Sequence, residues 1–303
     1  MRITQRALAV TALQGLNRNQ EAIAKLQAQL TSGKTINKPS DDPTGTNAAM
    51  QTRQELAGAA QYARNINDGI GLLDATDSAL QNMIKQVQNV RALTVKGLNA
   101  GTLSDASATA ISTEVSGIRA SLLGLANSTV QGKPVFGGVT SGSIAYDAAT
   151  GGYQGFGGTS VPPMPVIPVN RQVSDADAIR VDLTGPEAFG DPATGDLFAI
   201  VQAIATDVVA DPAALAGHLE DLDVALNRML AAVADIGTRT NRIETAQQVN
   251  KDLQLSLTSR SSVIENVDLP KTIMNLQMQQ VGYEAALGAT AKDIQPTLLD
   301  FLR

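Results

Sequence analysis

The chain is predicted to be mainly α-helical with a β-rich insert, on three observations. Long proline-free segments toward both ends carry apolar residues at steps of three, four and seven. Seven of the twelve prolines (134, 162, 163, 165, 168, 186 and 192) lie between Pro134 and Pro192, beside the pairs Gly137-Gly138, Gly151-Gly152 and Gly157-Gly158. Six of the nine aromatics (Phe136, Tyr146, Tyr153, Phe156, Phe189 and Phe198) fall in or beside the same stretch. The ends therefore read as helix and the middle as short strands around a small aromatic core. Long antiparallel helical coiled coils formed by the N- and C-terminal segments, with a small outer β domain, are the expected architecture. The expected division is 1–40 plus 266–303 as a terminal coiled coil, 41–134 plus 200–265 as a long-helix rod domain, and 135–199 as the outer insert.

The first helix is expected over Thr4 to Leu30, where Leu16, Ile23 and Leu30 fall seven apart with Leu26 between them. Ser32-Gly33 is its stop, and Asp42-Pro43 supplies an N-cap and a first-turn proline for the next helix. That second helix is long: Leu56, Ala59, Ala63, Ile66, Ile70, Leu73, Leu80, Ile84 and Val87 hold the spacing despite Gly58, Gly69 and Gly71, to an end near Gly97 to Gly101. Ser104 is the N-cap of a third helix through Ile111, Val115, Ile118, Leu122 and Leu125, closed by Gly132 and Pro134. Strands are expected at Val166 to Val169 and Ile179 to Leu183. The clearest pattern follows: Leu215, Leu219, Leu222, Leu226, Met229, Val233, Ile236, Thr240 and Ile243 step four and three in register. Continued through Leu253, Leu257 and Ile264, it makes a helix of some fifty residues, roughly 75 Å long. Asp268 and Pro270 mark a restart, with Leu269, Leu276 and Tyr283 as one seven-residue series and Ile273, Gln280 and Leu287 as the other.

Composition closes several classes of function. With 303 residues and 43% hydrophobic the chain can build a core, but 3% aromatic leaves few large rings to fill it. The absence of Cys removes disulfides, thiolate nucleophiles and Cys-based metal sites, and the single His218 excludes a His-rich metal centre. No cofactor and no metal are expected. A net charge of -6 argues against nucleic acid as a partner. Gln14, Asn17, Arg18 and Asn19 interrupt any apolar run of signal-peptide length, and nowhere do 18 apolar residues follow one another, so neither a cleaved signal nor a membrane span is expected. Charge is uneven, with net +5 over residues 1–40 and net -5 over 135–200. An acidic insert suits a solvated surface, and the basic segment could pair with acids on the last helix or on a neighbour.

Candidate chemistry is thin. His218 lies beside the seam residue Leu219 without an evident nucleophile, which favours a structural role. Gly151 to Gly158 lacks phosphate-loop spacing and reads as turns. Asp41-Asp42 and the pair Asp175 and Asp177 lack the donor series of a calcium loop, so capping and solvation explain them. Met274 and Met278 read as packing.

A different requirement is physical. Two terminal helices paired as a hairpin bury only their facing stripes, so something else must cover the rest. Homo-oligomerisation is the simplest cover, and head-to-tail contacts make tubes or filaments where the rotation does not close. The expected assembly interface is Leu16, Ile23, Leu26 and Leu30 from the first helix, Leu269, Ile273, Leu276, Tyr283 and Leu287 from the last, and Leu298, Leu299 and Phe301 from the C-terminal tip.

The segment Gln29 to Pro43, which contains Ser32, Gly33, Pro39, Ser40, Asp41, Asp42 and Pro43, followed by Gln61 to Ile66, resembles the N-terminal signature of the bacterial flagellin superfamily. Asn241 to Glu244, Leu257 to Ser259, Ile264 to Asp268, Tyr283 to Leu287 and Leu298 to Arg303 resemble the C-terminal signature, and Gly132 to Gly138 the turn into an outer domain. Within the superfamily, Lys38-Pro39-Ser40-Asp41-Asp42-Pro43 and Gln295 to Phe301 are similar to the hook-associated branch that adjoins the filament. The filament subunit usually has small residues where these prolines stand, and Pro270 and Gly288 depart from the family pattern. The resemblance implies an inner layer of paired terminal helices, a layer of long helices, and an outer β domain. It also implies export to the extracellular flagellum by the flagellar type III apparatus without signal cleavage. The partners implied are further copies in a ring, a hook-side junction protein, flagellin, and a cytoplasmic export chaperone at the C-terminal segment. No reaction is implied. A filament flagellin and a soluble helical-bundle enzyme using His218 are the alternatives.

Overall fold

The structure, a computed structural model, describes residues 2–98, 104–140, 142–155, 167–191 and 195–294. Its elements are α1 (Arg2–Ser32), α2 (Pro43–Leu98), α3 (Asp105–Ala126), β1 (Thr129–Val130), β2 (Lys133–Pro134), β3 (Asn170–Gln172), β4 (Ala178–Arg180), α4 (Gly185–Phe189), α5 (Leu197–Ala210), α6 (Leu215–Glu265) and α7 (Leu269–Ile294). The chain is mainly helical, and β1 with β2 and β3 with β4 make two separate two-stranded antiparallel sheets. It divides into two compact units, residues 1–58 with 253–303 and residues 59–252. The helices α2 and α6 contribute to both.

In the first unit α1 packs along α7. The two run antiparallel, since Asn19 meets Gln279 while Gly33, at the end of α1, meets Val267, just before α7. Gly33 stops α1 because it takes φ 69°, a left-handed value that favours glycine. Asp42 accepts the Gly45 N–H at 2.9 Å and thereby caps α2, which opens on Pro43. A Cβ at Gly45 would collide with that carboxylate. Pro270 costs α7 nothing, because it lies in the first turn, where its missing N–H has no intrahelical partner. Asp268 caps that turn by accepting the Lys271 N–H at 3.2 Å.

The second unit holds the large core. Leu215, Leu222, Met229, Ile236 and Ile243 of α6 are buried, one every seven residues, while Leu219, Leu226 and Val233 between them are half-buried. From α2, Ile66, Leu73, Leu80, Ile84 and Val87 enter the same core, and α3 adds Ile111, Val115 and Leu122. Gly69 makes room there: a Cβ on it would sit 2.6 Å from the Ile243 Cδ1, so that methyl would have to shift. Phe136, Tyr146, Phe189 and Phe198 are buried and meet edge-on or tilted, with Tyr146 and Phe198 ring centres 4.7 Å apart. This is the expected aromatic core, although Phe156 lies outside the described residues.

Four expectations need correction. The third helix stops at Ala126, well before Gly132 and Pro134, because Asn127 turns its side chain to the insert. Its Oδ1 accepts the N–H groups of Ala145 and Tyr146 at 2.8 Å, and its Nδ2 donates to the Tyr146 carbonyl at 2.7 Å. Gln131 and Gly132, at φ 52° and 78°, then form the hairpin turn between β1 and β2. The expected strand at Val166 to Val169 lies instead at Asn170–Gln172, with Val166 outside the described residues, and the one at Ile179 to Leu183 shortens to Ala178–Arg180. There the Asp182 carboxylate takes the Val169 N–H at 2.8 Å, so a side chain ends the ladder. Finally, Phe198 stands on a separate helix, α5, which Asp196 caps through the Ala199 N–H at 2.7 Å.

Candidate assembly surface

The apolar seams of α1 and α7 lie in the first unit, and its core is slight. Among its described residues the buried hydrophobic side chains are Ala49 and Leu257. Leu16, Ile23, Leu26 and Leu30 of α1, with Leu276 and Tyr283 of α7, are half-buried between the two helices. Leu269, Ile273 and Leu287 stand exposed at the flank. Leu298, Leu299 and Phe301 lie outside the described residues.

A second apolar stripe was not legible as such. Met274, Met278 and Val281 are 59%, 66% and 66% exposed, so the reading of the two methionines as packing is corrected. Steps of four and three put the three on one helical face, opposite the face formed by Thr272, Leu276, Gln279 and Tyr283. On the last turns of α6, Leu255 and Val263 are 71% and 83% exposed, eight residues apart and so about 80° from each other around the helix, within the width of one apolar stripe. A helix apolar on opposite faces is suited to an interior. In the lone chain α7 has one such face covered by α1 and the other in water.

Below the seams, the loop 33–42 is tied to the turn 266–268. Thr35 N–H donates to the Glu265 carbonyl at 2.7 Å, Val267 N–H to the Gly33 carbonyl at 3.0 Å, and Thr35 Oγ1 to the Asn266 carbonyl at 3.0 Å. The buried Glu265 carboxylate receives Arg53 Nε and Nη2 and Lys34 Nζ, each at 2.7 Å. The Arg53 guanidinium and the Lys34 ammonium hold its pKa down to about 2. Asp41 accepts the Lys38 and Asn37 N–H groups at 3.0 and 3.3 Å and lies 3.3 Å from Lys25 Nζ, so its pKa also falls below the usual carboxylate range. The signature residues Ser32, Gly33, Asp41, Asp42 and Pro43 thus close and cap this loop, with Pro39 and Ser40 on its exposed turn. Sequence reasoning missed the Glu265 centre, whose partners lie 231 and 212 residues away.

The other candidates resolve within the second unit. His218 Nε2 lies 2.7 Å from Asp207 Oδ2, a contact between α6 and α5 that the lone-histidine reading lacked. Asp175 bonds the Tyr62 hydroxyl, and Asp177 lies 3.5 Å from Arg242. Arg180 bridges Asp182 and Glu187 at 2.9 and 2.7 Å, so two of the seven acids in residues 135–200 are matched by a cation of the insert itself. Among the described residues no group of three His, Cys, Asp or Glu side chains is gathered as for a metal ion. Among those residues, too, no helix is long and apolar enough to cross a membrane.

Residues 3–140 match the family of the bacterial flagellin N-terminal helical region. The flagellar hook-associated protein 3 of Salmonella typhimurium is 28% identical over 310 residues, covering 94% of this chain and 95% of that protein. The flagellin of Bacillus subtilis is 27% identical over 316 residues, covering the whole of both. Among solved structures, Bacillus cereus FlgL aligns with a TM-score of 0.58 at 22% identity, covering 70% of this chain and 99% of that one.

Proposed function

From the premise that this chain is of the bacterial flagellin superfamily and resembles its hook-associated protein 3, we propose that it is a structural protein of the flagellum. It is the junction adaptor between the hook-side junction protein and the flagellin filament, and it assembles through its terminal helices. One observation carries the assembly reading: α7 is apolar on opposite faces, and α1 covers only one of them. Copies stacked side by side would cover the second face, together with Leu255 and Val263 of α6.

In this reading 1–40 with 266–303 form the inner layer, the long helices a rod around it, and 135–199 the outward insert. The adaptor copies form a ring, reach the outside through the flagellar export apparatus without signal cleavage, and meet a chaperone at the C-terminal segment before export. The work is mechanical, and no catalytic step is assigned. The junction reading is favoured over filament flagellin by Pro39 and Pro43 in the signature loop and by the hook-associated relatives and fold neighbours.

Labelled antibody on isolated flagella tests the proposal. Label confined to the hook-proximal end of the filament is expected. Label along the whole filament, or purified protein that polymerises alone into long tubes, would overturn it in favour of a filament subunit. Deleting residues 288–303 should leave the second unit folded while abolishing incorporation; normal motility from that truncate would count against the assembly role.

A further inference from the structure

We infer that Glu265 is the positioning residue of the assembling helices: its carboxylate latches the α6–α7 turn to the α1–α2 loop and so fixes the direction in which α1 and α7 leave α2 and α6. The inference rests on the assembly reading above and names the residue that prepares that surface.

Covalently, α1 and α7 are joined to their neighbours by the loop 33–42 and the turn 266–268 alone. The single antiparallel bridge between Lys34 and Asn266 adds two backbone hydrogen bonds, too few to hold two extended segments together in water. Glu265 supplies the missing restraint by joining three elements. Arg53 comes from α2, Lys34 from the loop, and Glu265 is the last residue of α6. The guanidinium meets both carboxylate oxygens as a two-pronged fork, which fixes orientation as well as distance. The burial is one-sided: the Glu265 side chain is 7% exposed, whereas those of Lys34 and Arg53 are 45% and 58% exposed. Only the anion has lost its water, so only the anion must be answered by partners brought from other elements. At the far end of the same loop, Asp41 ties back to Lys25 on α1, so the loop is fixed at both ends.

The absence of cysteine gives a clean background for the test. Lys34 and Asn266 form a non-hydrogen-bonded antiparallel pair, whose Cα atoms lie about 4.5 Å apart in such ladders and so within reach of a disulfide. Full-length protein is compared as wild type, as Glu265→Gln, and as Glu265→Gln with Lys34→Cys and Asn266→Cys, oxidised and reduced. The readouts are hydrogen exchange at the Thr35 and Val267 amides and incorporation into flagella. Glu265→Gln should keep the far-ultraviolet circular dichroism of the wild type while both amides lose about tenfold or more in protection, and incorporation should fall by a similar factor. Oxidation of the triple variant should restore both, because a covalent tie replaces the latch, and reduction should abolish the rescue. Wild-type protection and incorporation in Glu265→Gln would overturn the inference, as would a crosslink that restores protection but not incorporation. Should Glu265→Gln fail to fold, Arg53→Gln removes the fork from an exposed position, and unchanged protection at Thr35 would count against the latch. Antibody label along the whole filament would defeat the junction reading while leaving the exchange result to decide the latch.

Discussion

Replacing Met274, Met278 and Val281 together by Gln separates assembly from folding. Gln matches Met in helix propensity and exceeds Val, so the helix itself should not weaken. Complete burial of a Met or Val side chain stabilises by about 1.5–3 kcal/mol. Exposures of 59%, 66% and 66% leave about 1–2 kcal/mol per residue unused in the free chain. If neighbouring copies bury all three, the triple variant forfeits about 3–5 kcal/mol on assembly, roughly a hundredfold to several thousandfold in affinity. The free subunit should melt almost unchanged, since substitutions at exposed positions usually stay within about 0.5 kcal/mol each. The assay pairs a thermal melt of the purified subunit with competition against wild-type protein for incorporation into growing flagella. Equal incorporation would refute the reasoning, and a large drop in melting temperature would show that the stripe is already packed within the subunit.

Phe198→Ala removes a ring from the aromatic core, where it meets Tyr146 and Phe189, and should cost about 3–5 kcal/mol in urea unfolding of the second unit. Tyr146→Phe should be neutral or stabilising by about 1 kcal/mol in the same assay, because the buried hydroxyl has no hydrogen-bond partner among the described residues and burial pushes its pKa up. Acid should loosen the loop–turn tie. With the Glu265 pKa near 2 when folded and about 4.5 when unfolded, its contribution is complete above pH 4.5 and disappears as pH falls toward 2. Its size is on the order of 1–2 kcal/mol once solvent screening of the half-exposed Arg53 and Lys34 is allowed for. Protection of the Thr35 amide, taken as the ratio of intrinsic to observed exchange at each pH, should therefore fall between pH 4.5 and 2, with a flatter profile in Glu265→Gln.

What the sequence revealed depended on periodicity and on covalent neighbours. The α6 seam was readable because one residue in seven, from Leu215 to Ile243, meets the same core, and the caps Ser104, Asp42 and Asp268 because each acts within three residues. The end of α3 was misjudged because glycine and proline mark turns in general, whereas Asn127 ends the helix by bonding the backbone of Ala145 and Tyr146, 18 and 19 residues on. For the candidate surface, spacing found the seam but not its orientation. Steps of three and four describe Leu276 and Tyr283 facing α1 as well as Met274, Met278 and Val281 facing water, and only packing tells the two faces apart. Glu265 was hidden for a related reason: an ion pair between segments more than two hundred residues apart leaves no period and no local motif.

Hydrogen exchange measured on the free subunit and again on assembled flagella tests most directly whether neighbours complete the terminal helices. In the free subunit the amides of α1 and α7 should exchange far faster than those of Leu73, Leu80 and Met229 in the large core. On assembly they should gain protection until they approach it. Core-like protection of α1 and α7 already present in the dilute subunit, with no further gain in the flagellum, would contradict the account.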